Sequence, residues 1–279
     1  MVDNASDDAS LTFAARPGTS FSLLRNPENR GFGSACNQGW RHSCGELVLF
    51  LNPDAEARTG SPDRLAQALQ RESSVWAAGG RLINLDGTPQ IGFNVRTFPT
   101  FRSVLAESLL LDEILPRNAW TRAHRMTDFD HASPRDVDQP AGACLMVRRE
   151  VLEKLGGFDE VFFPAWYEDV DLCKRIRDAG GRIVFVPDAD FLHHGGHSLG
   201  RLGREEFLHF LYANRIRYFA KHHGIQAARR VRALTLLGLR LRAVLSLAYP
   251  VGRGRGRLAS FRVFGETARR IAAIPEFLS

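Results

Sequence analysis

The sequence predicts an α/β layered fold, a mostly parallel sheet flanked by helices, with a helical appendage at the C-terminal end. Three observations carry this expectation. Strand-like and helix-like segments alternate over residues 1–200. Residues 46–52, ELVLFLN, are apolar on both faces, as the central strands of parallel sheets are. Beyond residue 200 the strand signals stop and three helical patterns follow, carrying about sixteen Arg or Lys against about four Asp or Glu.

FSLLRN (21–26) reads as a short strand, and the small residues of 31–45 have a helical rhythm that ends at a glycine. SPDRLAQALQRE (61–72) opens with Ser-Pro, a helix start, and repeats apolar residues at helical spacing. Residues 75–93 hold two strand-like runs around the turn signal Asp86-Gly87. Residues 101–115 read as helix, and 116–139 as a polar, irregular loop expected to be mobile. ACLMVRRE (143–150) is a buried strand running into a short helix, and 167–181 is a helix stopped by two glycines. RIVFVPDADFLHH follows as strand, turn and short strand. Helices are expected near 204–223, 226–248 and 257–273, with GRGRGR (252–257) as a flexible basic joint. The expected division is a main body over 1–200 and a basic amphipathic appendage over 201–279.

The 279 residues, 44% of them hydrophobic, suffice for one large core or one core with an appendage. Cys36, Cys44, Cys144 and Cys173 form no CxxC pair and no zinc-finger spacing, so they read as reduced thiols of a cytoplasmic protein. MVDNASDD has no signal-peptide pattern, and no run reaches the roughly 18 apolar residues of a membrane span. The nearest candidate, in 231–252, is broken by Arg232, Arg240 and Arg242. The net charge of +6 divides into roughly +12 after residue 200 and roughly −6 before it. Leu, Val and Phe between the arginines favour an anionic membrane face over nucleic acid as the tail's partner. The plainer alternative is helices packed on the body with solvated arginines.

Three clusters carry chemistry. Asp54 follows the strand 46–52 behind Asn52-Pro53, so the proline aims the carboxylate at a strand end, where α/β sheets bind ligands. A hard oxygen ligand there suits Mg2+ or Mn2+, completed by substrate phosphates, although Asn-Pro-Asp is also an ordinary turn. Glu168, Asp169 and Asp171 crowd one helix start; dipole pairing and an Asp171–Arg175 pair explain some of them, and the neighbouring Phe162, Phe163, Trp166 and Tyr167 suggest a pocket wall. His193, His194 and His197 surround Gly195-Gly196 without a cysteine, which suits one imidazole completing a carboxylate-held metal better than a zinc site.

In combination, VDNASDD (2–8), NRGFGSACNQG (29–39), FLNPDAE (50–56), GGRLINLDGTPQ (79–90), GACLMVRREVLEKLGGFDEVFF (142–163), EDVDLCKRIRDAGG (168–181) and HHGGHS (193–198) resemble the family 2 glycosyltransferases. The nearest subgroup is the bacterial rhamnosyltransferases of cell-wall and O-antigen synthesis, and the likeness covers most of residues 1–225. It implies a GT-A fold and inverting transfer from a nucleotide-activated sugar, dTDP-rhamnose first and UDP-sugars such as galactofuranose next, to a glycan or polyprenyl-linked acceptor. By the same resemblance Asp3 meets the pyrimidine base, and Asn29, Gly31 and Asn37 line the nucleotide. Asn52 and Asp54 stand for the metal-binding DxD motif, Asp169 is the general base, and His193, ahead of His194, meets the metal or diphosphate. The enzyme is expected in the cytoplasm, peripheral on the inner membrane face.

Chains of this family begin with a strand, a turn and a helix some 30 residues before VDNAS, which here follows Met1 directly. A longer natural chain, a fragment, or an inactive sugar-nucleotide-binding paralogue would each account for this. A phosphatase or nucleotidyltransferase is disfavoured, because no DxDxT-like nucleophile and no Walker-type phosphate loop occur.

Overall fold

Apolar alternation with a period of two organises the centre of the molecule. In the computed structural model, which describes residues 1–6, 21–195, 203–248 and 256–275, strand β9 (Cys144–Arg148) sends Leu145 and Val147 to one sheet face and Cys144 and Met146 to the other. Strands β1 (Val2–Asp3) and β2 (Leu24–Arg25) form a separate parallel pair beside α1 (Phe32–Arg41). The main sheet comprises β3 (Leu47–Leu51), β4 (Ala55–Ala57), β5 (Val75–Ile83), β7 (Arg135–Asp136), β9 and β10 (Arg182–His193). Its order is β3-β9-β5-β10-β4, with β7 added beside β10. A small pair, β6 (Val95–Arg96) with β8 (Gln139–Pro140), flanks it.

The sheet is mixed rather than mostly parallel. β5 and β10 pair parallel, while β9 runs antiparallel to both β3 and β5, and β4 and β7 run antiparallel to β10. β3 is therefore an edge strand of the described sheet, not a central parallel one. Its apolar character has another cause: Val48 and Phe50 enter one core cluster, and Leu47 and Leu49 pack on the other. Because β3 and β5 both oppose β9, they share a direction, and the carboxyl ends of β3, β5 and β10 fall at one end of the sheet.

Helix α2 (Ser61–Arg71) covers one face, burying Leu65 and Leu69 completely, each worth about 1.5–3 kcal/mol. On the other face lie α1, α6 (Arg149–Leu155) and α7 (Glu168–Asp178), with Trp40, Leu152, Leu172 and Ile176 in the core. Where one helix was expected over 101–115, α3 (Phe101–Ser108) and α4 (Leu111–Ile114) are separated at Leu110, which has a left-handed backbone. The segment 116–139 is not a loop throughout: it holds α5 (Ala119–Arg125), capped by the Asn118 side chain, and β7. After Asp86-Gly87 the chain turns back and makes only an isolated bridge, Ile83 to Pro89, instead of a second strand. β10 is one continuous strand with a register shift between Val186 and Asp190, not two strands around a turn.

The C-terminal helices α8 (Arg204–His223), α9 (Ile225–Ala248) and α10 (Arg257–Ala272) share one apolar cluster with Val104, Phe162 and Val170 of the preceding part. Polar ties reinforce this cluster. Arg215 pairs with Glu107 at 2.8 Å, and the Asn214 amide donates to the carbonyls of Ala165 and Trp166. Asp171, with no exposure, accepts from Arg175, Lys221 and His222 at 2.6–2.8 Å. Among the described residues no helix is long and apolar enough to cross a membrane, and all four cysteines are free. The joint over 252–255 lies outside the described residues.

Candidate active site

The carboxyl ends of β3 and β10 meet through β4, whose Ala55 stands in register with His193. Asp54, between β3 and β4, is only 11% exposed and accepts the His194 amide on its backbone carbonyl. Its Oδ1 lies 3.5 Å from His193 Nε2, is buried, and has no hydrogen-bond partner. The imidazole is fixed by Gln90, whose Nε2 donates to the His193 carbonyl (2.8 Å) and to Asn84 Oδ1 (3.1 Å). Gln90 Oε1 is thereby left to accept from His193 Nδ1 at 2.9 Å. This tautomer places a lone pair on Nε2, facing the Asp54 carboxylate. Burial pushes the His193 pKa down, against the opposing pull of Asp54, so the ring stays neutral. Two lone pairs left facing each other are poor company for one another and good ligands for a cation, with Gln90 as the outer partner that orients the ring. Asp54 and His193 thus fit a divalent metal.

His194, just past β10, pairs with Glu56 at 3.0 Å, so of the two candidates His193 faces Asp54. His197 lies outside the described residues. Among those residues no group of three or more His, Cys, Asp or Glu could hold a metal. An open cavity of about 720 Å³ is lined in part by Gln90 and Phe93, both of which touch His193; the Phe93 ring stacks on it at 5.3 Å.

Asp169 reaches the same sheet end from the first turn of α7. Its Oδ2 accepts the Gly142 N–H at 2.9 Å and its Oδ1 accepts the Val170 N–H at 2.8 Å. The next residue, Ala143, accepts the Asn52 N–H at 3.0 Å. One stretch of backbone, Gly142-Ala143, therefore separates Asp169 from the Asn52-Pro53-Asp54 turn. Burial raises the Asp169 pKa, with the two amide bonds opposing. Glu168 points elsewhere, into the interior beside Gly33; burial and then the Asp169 charge hold its carboxyl well above the usual range.

The segments expected to line a nucleotide form a polar network at the open side of α1. Asp3 is buried and accepts the Ser6 N–H at 3.2 Å. Asn29 Oδ1 accepts from the Gly31 N–H (2.9 Å) and from Asn4 Nδ2 (2.8 Å). Gly31 has φ +86°, and a Cβ there would come within 2.9 Å of Phe163 and 3.1 Å of the Pro164 carbonyl, so only glycine fits this N-cap. Asn37 requires a correction. It is 1% exposed, and its amide is fully used by Phe158 N and O, Trp40 Nε1 and Glu160 Oε1. It ties α1 to the 158–160 turn and has nothing left for a ligand. Three of the four aromatic residues beside the acids are likewise not a free pocket wall: Phe162 is in the helical core, Trp166 packs on Phe207, and Tyr167 on Tyr218, whereas Phe163 is exposed. Asn4 and Gln90 lie inside VDNASDD and GGRLINLDGTPQ without being singled out there, and Arg96 lies in none of the motifs.

Residues 1–156 match the model of glycosyl transferase family 2, and residues 123–198 match that described as the N-terminal domain of galactosyltransferase. The chain belongs to glycosyl transferase family 2. It is a glycosyltransferase, and its mixed sheet flanked by helices is the GT-A architecture expected of the family. Over 215 residues it is 34% identical to the N-acetylglucosaminyl-diphospho-decaprenol L-rhamnosyltransferase of Mycobacterium tuberculosis, covering 72% of this chain and 67% of that protein. Over 159 residues it is 26% identical to the rhamnosyltransferase WbbL of Escherichia coli, covering 57% and 56%. Among solved structures, a mannosyltransferase of Pyrobaculum calidifontis in complex with GDP-Man and Mn2+ aligns with a TM-score of 0.44 and 17% identity, over 90% of this chain and 68% of that one.

Proposed function

We propose that this glycosyltransferase moves rhamnose from a nucleoside-diphosphate donor, dTDP-rhamnose first, to a lipid-linked glycan acceptor with inversion at the anomeric carbon. The observation that carries the reading is the meeting at one sheet end of the unsatisfied Asp54–His193 pair and the clamped Asp169 carboxylate. The choice of sugar and acceptor rests on the two rhamnosyltransferase relatives. Asp54 and His193 would hold Mg2+ or Mn2+, which when bound offsets the negative charge of a departing diphosphate.

Asp169 is the base in this reading. Two backbone N–H groups fix its orientation, and its raised pKa makes it a better proton acceptor than a solvated aspartate. It takes the proton of the acceptor hydroxyl as that oxygen attacks. Asp3, with Asn4 and Asn29, offers carboxylate and amide groups to the nucleotide base beside α1. For the membrane, α9 ends and α10 begins with exposed Val244, Leu247, Leu258 and Phe261, beside exposed Arg240, Arg257 and Arg262. No acid occurs from Ile225 to Gly265, so this end suits an anionic bilayer that presents a lipid acceptor.

The test is a pair of variants assayed with dTDP-rhamnose and a polyprenyl-diphosphate acceptor. Asp169→Asn is expected to keep donor binding and lose about 10²–10⁴ in transfer rate. Asp54→Ala is expected to lose the metal dependence of nucleoside-diphosphate binding in calorimetry. Unchanged turnover in the first, or unchanged metal dependence in the second, removes the corresponding role.

A further inference from the structure

Arg96 is half-buried on β6, and among the described residues no carboxylate lies within ion-pair distance of its guanidinium. The neighbouring Arg125, by contrast, is paired with Asp112 at 2.8 Å. Arg96 spends only its Nε, on the Gly92 carbonyl at 2.7 Å. Its two terminal nitrogens have no protein acceptor among the described residues. An arginine does not shed its proton, and a desolvated cation that no carboxylate contacts is costly; Asp169 and Glu107 act on Arg96 only through space. Such a group is kept where an anion comes to it.

Its position says which anion. β6 lies in register with β8, Arg96 opposite Gln139 and Val95 opposite Pro140. The pairing continues with the Ala141 N–H on the Asn94 carbonyl, and the following residue, Gly142, holds Asp169. On its other side the guanidinium lies over the Phe93 ring, 5.8 Å from the centroid, and that ring stacks on His193. Arg96 is therefore one strand from the residue clamping the base and one aromatic ring from the Asp54–His193 pair. A planar fork of N–H donors matches two oxygens of a phosphate chain better than any single charge does.

We propose that Arg96 is a diphosphate-binding residue of the transfer site, closing its free terminal N–H groups on the phosphate oxygens of a diphosphate ester. This rests on the reading of the preceding section, in which both substrates carry that group: the nucleoside-diphosphate sugar and the lipid-diphosphate acceptor.

The test compares the wild-type chain with Arg96→Gln and Arg96→Lys. Calorimetry measures binding of inorganic pyrophosphate, dTDP and UDP with Mg2+ present, and steady-state kinetics measure KM for donor and for lipid-diphosphate acceptor. In Arg96→Gln, pyrophosphate affinity is expected to fall roughly 10–100-fold, as for loss of charge-assisted bonds. Arg96→Lys, which keeps the charge and loses the fork, is expected to fall about tenfold. A donor source shows as weaker dTDP or UDP binding with the acceptor KM unchanged; an acceptor source shows as a raised acceptor KM with nucleotide binding unchanged. Without ligand, the melting temperature of Arg96→Gln is expected to equal or exceed that of the wild type, because no ion pair is lost; a merely structural arginine would lower it and leave affinity intact. Wild-type binding of pyrophosphate matched by both variants, with both KM values unmoved, overturns the inference alone. A wild-type chain that binds no pyrophosphate and no nucleotide overturns it together with the reading it rests on.

Discussion

Gly142→Ala tests the placement of Asp169 without touching its carboxylate. A Cβ at position 142 would stand 2.9 Å from Asp169 Cβ, 3.0 Å from Oδ2 and 3.3 Å from Cγ. Carbon atoms pack at about 3.5–4.0 Å, so the Asp169 side chain must withdraw by roughly 0.5–1 Å. That movement stretches or breaks the 2.9 Å bond from the Gly142 N–H, one of the two that orient the carboxylate. A displacement near 1 Å in a reacting group costs about 10²-fold in rate, equivalent to roughly 2.7 kcal/mol. The overpacking itself costs about 1–3 kcal/mol of stability, to be followed separately by thermal melting. The expected result is kcat for sugar transfer reduced about 10²-fold, with nucleoside-diphosphate binding within a factor of about three of wild type. A folded Gly142→Ala protein with wild-type kcat would refute the assignment of Asp169 as the base.

Asp171→Ala leaves Arg175, Lys221 and His222 without their shared buried carboxylate, and a loss of about 3–5 kcal/mol is expected, roughly 10 °C in Tm by calorimetry; a shift under about 2 °C would mean the cluster contributes little. Glu168 holds its proton in the folded state to a higher pH than when unfolded, so its share of stability is present at low pH and lost as pH rises through the raised value. Glu168→Gln removes that loss, and its Tm should fall less than that of the wild type between about pH 5 and pH 8; parallel curves would contradict the burial argument. The raised pKa of Asp169 places the acidic limb of kcat/KM above about pH 3.9, the value for an ordinary aspartate; a limb at or below it speaks against Asp169. Leu258→Glu with Phe261→Glu should lower flotation with anionic vesicles, and each of Arg240, Arg257 and Arg262 changed to Gln should lower it by about 1 kcal/mol. Equal flotation would move the membrane role elsewhere.

Much of the site was legible because its residues sit at element ends that local patterns mark. Asn52-Pro53-Asp54 follows a run of five apolar residues, and Glu168, Asp169 and Asp171 crowd a helix start. What stayed hidden depends on partners far along the chain. Asn37 looks like a ligand-facing amide from its motif, yet Phe158 and Glu160, more than a hundred residues later, use it entirely. Arg96 has no signature in sequence, since what distinguishes it is that, among the described residues, no carboxylate pairs directly with its guanidinium while Asp169 and Glu107 act on it through space.

By itself the sequence determined where most strands and helices lie, since hydrophobic period, proline and glycine placement and helix caps act over a few residues, but it missed α5 and β7 within 116–139 and the break at Leu110. It also determined the family, through motifs spread over most of the body. The tertiary structure alone decided that β3 stands at the edge of a mixed sheet among the described residues and that His193, not His194, faces Asp54. His193 ends β10 and His194 follows it, and adjacent residues of an extended chain point to opposite faces, so local pattern offers both histidines on equal terms. Pairing with β4 sets His193 opposite Ala55 and leaves His194 on the side of Glu56, while Asp54, in the turn ahead of β4 and outside its pleat, brings its carboxylate to His193.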